Sequence, residues 1–188
     1  MLAAVRCVST GDAHARPGVF VGPSFDPGLL YEMSFSSTSA NLLEHYRNSL
    51  PDRPPFATLV AEAERAEPSA LSIEPLQDRQ PIETCFRNVR PDHSRGQVVR
   101  AIMACVAARL AEQVRALCGD ALPARIALAG GGARSRLWLE LKREALGVRF
   151  VTTDCHEPTS RGTAILAAAA VTGEAVPVCA SRWVRDDA

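Results

Sequence analysis

The sequence predicts an α/β fold, and three observations carry that prediction. Between residues 93 and 176 the hydrophobic pattern runs helix, strand, helix, strand, helix, an alternation that calls for a parallel-containing sheet with packed helices. The apolar run at 125–129 is bounded by Pro123 and Gly130 and reads as a buried strand. Three consecutive glycines then turn the chain straight into the next helix. At 188 residues the chain has the length of one ordinary domain, and its 47% hydrophobic content supplies a core without staples.

Residues 1–92 are rich in Pro, Ser and Asp and read as an irregular N-terminal part with short helices. A short strand is expected at 18–21. Ser36, Ser37, Thr38 and Ser39 offer N-cap hydroxyls for a helix at 41–47, which Pro51, Pro54 and Pro55 stop. A second helix covers 56–66 and ends before Pro68. Residues 72–92, with Pro75, Pro81 and Pro91, read as an ordered loop with a short strand.

Residues 93–176 form the patterned core. Val99, Ile102, Met103, Val106, Leu110, Val114 and Leu117 recur at helical spacing over 94–118, and Gly119 stops that helix. After the strand at 125–129 and the glycines, a helix at 135–146 places Trp138, Leu141 and Ala145 on one side. Residues 148–153 have β-branched and aromatic content and read as the next strand. Thr159 or Ser160 is the expected cap of a last helix at 162–172. Residues 177–188 read as a tail.

Composition excludes several classes of function. Twenty-one basic residues balance twenty-one acidic ones, so no basic excess marks a nucleic-acid or anionic-membrane surface. The N-terminal apolar run is broken by Arg6 and is too short for a signal-peptide core. No run approaches the roughly 18–20 apolar residues of a membrane helix. The six cysteines form no Cys-x-x-Cys pair, which argues against zinc and dithiol chemistry and for reduced thiols in the cytoplasm. Asp154-Cys155-His156-Glu157 reads as a loop after a strand, and no metal site is expected.

The segment that carries chemistry is Gly130-Gly131-Gly132-Ala133-Arg134-Ser135. Glycines remove the Cβ atoms that would block a ligand, and a helix start offers unpaired N–H groups with partial positive charge. Such a turn cradles phosphate at the carboxyl end of a parallel strand. It is neither a Walker loop nor Gly-x-Gly-x-x-Gly. On these residues alone a phosphate cradle and an empty tight turn both stand. Arg134 and Arg136 flank the turn, either reaching phosphates or facing solvent. Ser135 lacks the His and acid that a nucleophile needs, so no catalytic residue is assigned.

The same residues resemble the C-terminal domain of the FGGY carbohydrate kinases. In that family a strand runs into Gly-Gly-Gly-Ala-Lys/Arg-Ser and a Trp-containing helix, matched here by Gly130 to Ser135 and Trp138. The family's next strand, acidic residue, Gly-Ala-Ala and Ala-rich helix resemble residues 148–153, Glu157, Gly162-Thr163-Ala164 and the stretch to Gly173. Upstream, Arg100-Ala101 and Ala104-Cys105-Val106-Ala107, Gln77-Asp78-Arg79-Gln80-Pro81, and His14-Ala15-Arg16-Pro17-Gly18 follow in the family's order.

The resemblance implies half of an actin-like (ribonuclease H-like) ATPase fold. It places Gly130, Gly131, Gly132, Ala133 and Ser135 at a nucleotide, with ATP and Mg²⁺ as cofactors and ATP or ADP as ligands. It also implies that the Ala-rich helix packs closely on the sheet. The reaction implied is ATP-dependent phosphorylation of a pentulose, sugar-acid or polyol hydroxyl. Sugar binding would need an N-terminal half with no counterpart here, and the family's Gly-Asp-Gln motif, whose Asp is the base, is also unmatched. Gly11-Asp12-Ala13 sits in the wrong place for it. The chain alone is therefore expected to be inactive. Two other readings stand beside this one: a non-catalytic remnant acting as an interaction or assembly module, self-associating included, and an unrelated α/β domain with an empty glycine turn.

Overall fold

The computed structural model describes residues 2–74, 85–152, 155 and 157–184. Its first element is a three-stranded antiparallel sheet of β1 (Leu2–Ser9), β2 (Phe20–Pro23) and β3 (Leu29–Ser36), in the order β1-β3-β2. Leu2 pairs with Ser36 and Val5 with Met33 across β1 and β3, and Phe20 pairs with Met33 across β2 and β3. The strand expected at 18–21 is thus present two residues later. The other two strands were not legible, because the buried positions of β3 are Glu32 and Ser34 rather than apolar residues. Glu32 is fully buried and accepts from Arg6 Nε at 2.8 Å, Arg16 Nη2 at 2.9 Å and the His14 N–H at 3.1 Å.

Two helices follow, α1 (Asn41–Ser49) and α2 (Phe56–Arg65). The expected hydroxyl cap on α1 is not formed. Its N-cap is Ala40, and Ser39 turns its N–H and hydroxyl to Asn41 Oδ1, at 2.9 and 3.0 Å. A short antiparallel pair, β4 (Ser72–Ile73) with β5 (Phe86–Arg87), closes the first part. Gln77, Asp78, Arg79, Gln80 and Pro81 lie outside the described residues.

The long helix α3 (Arg95–Cys118) is capped by Ser94, whose hydroxyl accepts from the Gln97 N–H while the Gln97 side chain accepts from the Ser94 N–H. Every residue of the predicted stripe is buried. The helix is the floor for the rest of the molecule, because Ala101, Cys105, Ala107 and Ala111 bury further faces of it. It meets α2 most closely at Gly96, where a Cβ would run into the Glu62 carbonyl oxygen. Arg95 holds that crossing with bonds to both carboxylate oxygens of Glu62, at 2.7 and 2.5 Å, and to Asp52 at 2.8 Å.

Beyond α3 come β6 (Arg125–Leu128), α4 (Arg136–Leu146) and β7 (Arg149–Thr152). β6 and β7 pair in parallel, Arg125 with Arg149 and Leu128 with Thr152, as the alternation of elements required. The expectation of a buried β6 needs correction. Arg125 and Ala127 are exposed and Ile126 and Leu128 only half-buried, because β6 has one strand neighbour and packs one face on the α3 layer.

The last two helices are α5 (Pro158–Thr172) and α6 (Val176–Trp183). α5 begins before its expected cap: Pro158 occupies the first turn, Glu157 is the N-cap, and Thr159 and Ser160 lie inside the helix. The stretch expected as a tail opens with α6. Ile165 and Ala169 of α5 pack on Val176, Cys179 and Ala180 of α6, so the Ala-rich helix buries its face there instead of on the sheet. No described helix is long and apolar enough to cross a membrane. All six cysteines are free thiols.

Candidate functional site

The glycine turn sits at the carboxyl end of β6. Gly130 has φ +90° and ψ −178°, a conformation that side chains strain to adopt, and Gly131 to Ala133 form one tight turn. The Ala133 N–H donates to the Gly130 carbonyl at 3.1 Å and the Arg134 N–H to that of Gly131 at 3.3 Å. The N–H groups of Gly131 and Gly132 donate to no group among the described residues. Ser135 then caps α4, its hydroxyl accepting from the Trp138 N–H at 3.3 Å. Trp138 is buried, and its Nε1 donates to the Met103 carbonyl oxygen at 3.3 Å. A Cβ on Gly132 would lie 3.2 Å from the Trp138 ring, so a side chain there needs the ring or the turn to give by a few tenths of an ångström.

The turn opens into a cleft of about 920 Å³ between α1, α2 and the start of α4. Gly131, Gly132 and Ser135 line it, and Gly130 and Ala133 shape the turn without lining it. Arg134 lines the cleft; Arg136 is paired with Glu140 at 2.8 Å on the helix surface. The sequence reading missed the opposite wall. Ala57, Val60, Ala61 and Glu64 of α2 line it at i, i+3, i+4 and i+7, one helix face of small residues ending in a carboxylate. Phe56 stands at the edge of this wall, 44% exposed, with the Arg47 guanidinium 5.0 Å from its ring centroid. The spacing of small residues was the available signal; what it faced was not readable.

Lys142, the only lysine, lies under the turn. Its side chain is buried, its Nζ is 3.5 Å from the Gly132 carbonyl oxygen and 5.5 Å from the Trp138 ring centroid, and burial pulls its ammonium down to about 8. Asp12, His93 and Tyr46 do not line the cleft. Asp12 is exposed in a short turn after β1. His93 Nδ1 accepts from the Arg90 N–H at 3.0 Å, and Tyr46 packs edge-on against Phe86 at 6.3 Å. Asp154 and His156 lie outside the described residues, and among the described residues no cluster suits a metal ion.

The profile of the FGGY family of carbohydrate kinases, C-terminal domain, matches residues 9–171, most of the chain. The chain belongs to this family. Its fold is that of the C-terminal half of solved FGGY kinases. A ligand-bound xylulose kinase from Lactobacillus acidophilus superposes with a TM-score of 0.77 over 99% of this chain at 15% identity. A gluconate kinase from the same organism gives 0.76 over 99% at 17% identity, and a Plasmodium falciparum glycerol kinase solved with ADP gives 0.72 over 99% at 18%. In each case the match takes up 40% of the other protein, so this FGGY chain spans less than half the length of those structures. No curated protein matches it in sequence.

Proposed function

We propose that this chain is the nucleotide-binding part of an ATP-dependent carbohydrate kinase, one that phosphorylates a hydroxyl of a pentulose, sugar acid or polyol. The observation that carries the reading is the meeting of two surfaces in one cleft. On one side are the open Gly131 and Gly132 N–H groups and the start of α4; on the other is the small-residue face of α2. Backbone N–H groups and the positive end of a helix suit phosphate oxygens. A flat wall of Ala57, Val60 and Ala61 suits a planar base, and Phe56 adds an aromatic edge beside it.

In this reading Gly131 and Gly132 receive the phosphates, Ser135 and Arg134 flank them, and Gly130 and Ala133 hold the turn in shape. No group of carboxylates among the described residues would hold Mg²⁺, so the ion would come with the nucleotide and would supply charge neutralisation. The transfer itself requires a sugar held in line with the terminal phosphate. That second substrate calls for surfaces beyond the 40% of a kinase that this chain matches, so the isolated chain is expected to bind nucleotide without phosphorylating sugar.

The test is the unfolding midpoint of the purified chain with and without Mg-ADP. A ligand that binds only the folded chain stabilises it by about 2.7 kcal/mol at a hundredfold excess over Kd. A midpoint that climbs with ADP and ignores equimolar sulfate supports the reading. A midpoint unmoved by millimolar ADP overturns it.

A further inference from the structure

The first sheet is polar on its inward face and apolar on its outward one. β3 turns Glu32 and Ser34 inward, and the register sets Arg6 and Ala4 beside them, with Ala4 packed on α3. The alternate positions face away from that helix. Val5, Met33 and Phe20 stand in one row across the three strands, and Cys7, Tyr31 and Gly22 in the next. An antiparallel sheet with one covered face normally turns its polar residues to water. Here both outward rows are free of charge, and Val5 is 59% exposed, Phe20 51% and Phe35 45%.

This face is flat and lopsided. A Cβ on Gly22 would lie 2.5 Å from the Tyr31 hydroxyl oxygen, so the Tyr31 ring lies across β2 where the glycine leaves room. Phe20 and Phe35 stack with their ring centroids 4.9 Å apart. Bulk is thereby gathered on the β2 side, while β1 presents only Ala3, Val5 and Cys7. An aromatic side chain carries roughly 150–250 Å² of surface, so half-exposed Phe20 and Phe35, with Val5 and their smaller neighbours, offer on the order of 400 Å². A stable dimer buries about 800 Å² on each partner, a little over half of it apolar. The face therefore supplies the apolar part of one such interface.

We propose that this face joins two copies of the chain, sheet on sheet, about a two-fold axis running along β3. Packed sheets lie about 10 Å apart with their strands near alignment. An axis along the middle strand sets β1 of one copy over β2 of the other, and Val5 of one against Phe20 of the other. The aromatic stack of each copy then settles on the low side of its mate. A two-fold contact needs a surface complementary to itself, which bulk on one side and a hollow on the other provide. Without charge, the face offers nothing that a charged peptide, a nucleic acid or an anionic membrane would recognise. None of its residues lines the glycine-turn cleft, so the inference stands apart from the nucleotide reading.

Sedimentation velocity of the full chain over a concentration series tests it. The parent is expected to pass from one copy to two. Val5→Lys and Phe20→Glu each bury an unpaired charge in the interface and are each expected to weaken dimerisation by about a hundredfold or more. Their unfolding midpoints at low concentration are expected to stay near that of the parent, because both positions are exposed. Mixed together, the two variants are expected to regain the dimer, since the introduced ammonium of one copy then faces the introduced carboxylate of the other. That rescue also shows both variants to be folded. Val171→Lys, at a position 87% exposed on α5, is expected to dimerise like the parent. A parent that stays single at every concentration, as it would if the rest of a longer kinase covered this face, overturns the proposal. So does a dimer that survives Val5→Lys, a dimer lost equally in Val171→Lys, or a mixture no more associated than its two components.

Discussion

Trp138 Nε1 donates to the Met103 carbonyl oxygen at 3.3 Å, and this bond fastens the helix that carries the glycine turn to the floor helix α3. A Cβ on Gly132 would come within 3.2 Å of the same indole ring, a tight contact. The turn is therefore positioned from below by a buried aromatic residue, and Gly132 and Trp138 are coupled.

The Gly132→Ala substitution is expected to cost about 1–2 kcal/mol, because either the ring or the turn must move. Its partner test is Gly131→Ala, which adds a Cβ into open space and is expected to cost less. Urea unfolding of the two variants measures the difference. Equal losses would mean that Trp138 does not brace the turn.

Ala61→Leu fills the α2 wall of the cleft without touching the glycine turn. Ala61 is half-buried and lines the cavity, so the added methyl groups occupy space assigned to the base. The expected outcome is an unfolding midpoint close to that of the parent and at least about tenfold weaker Mg-ADP binding by calorimetry, equivalent to about 1.4 kcal/mol. Unchanged ADP affinity would place the nucleotide elsewhere.

Lys142 gives a pH signature. Burial lowers its ammonium from 10.5 to about 8 in the folded chain. Between those values the unfolded chain holds a proton that the folded chain has released, so stability rises with pH across about 8 to 10.5. Below 8 both states are protonated and the cost of the buried charge is present in full. Lys142→Met is expected to stabilise the chain at pH 7 by about 1–2 kcal/mol and to remove the alkaline rise. Denaturant midpoints from pH 7 to 10.5 check both, and a variant that keeps the rise would assign it to another group.

Glu32 gives the opposite signature. Burial by itself would raise its carboxyl, but the His14 N–H and the Arg6 and Arg16 guanidiniums outweigh burial and hold it below 4.5. Its contribution is present above 4.5 and is lost as pH falls through the lower folded value. Glu32→Gln is expected to cost about 2 kcal/mol at pH 7 and to flatten the acid limb of the stability curve. The figure is set below that of a fully buried pair because the two arginines are about a third exposed. A variant as stable as the parent at pH 7 would show that the Glu32 cluster does not hold the first sheet.

What the sequence determined by itself was local. Apolar spacing over α3, a proline and a glycine around β6, and three glycines before α4 specify backbone conformations within a few residues, and all three were readable in the chain. The parallel pairing of β6 and β7 followed because a strand, a helix and a strand in close succession have few other ways to pack. The first sheet was hidden because Glu32 and Ser34 occupy the inward positions of β3, and only the arrival of Arg6 and Arg16 lets the Glu32 carboxylate be buried. Tertiary structure alone decided that α2 faces the glycine turn, since that depends on the close crossing of α2 and α3 at Gly96. It also decided that β1 and β6 rest on the same stretch of α3 in separate sheets. More than a hundred residues separate those strands in the chain, and no local pattern records how far apart two strands lie when they share a helix as their floor.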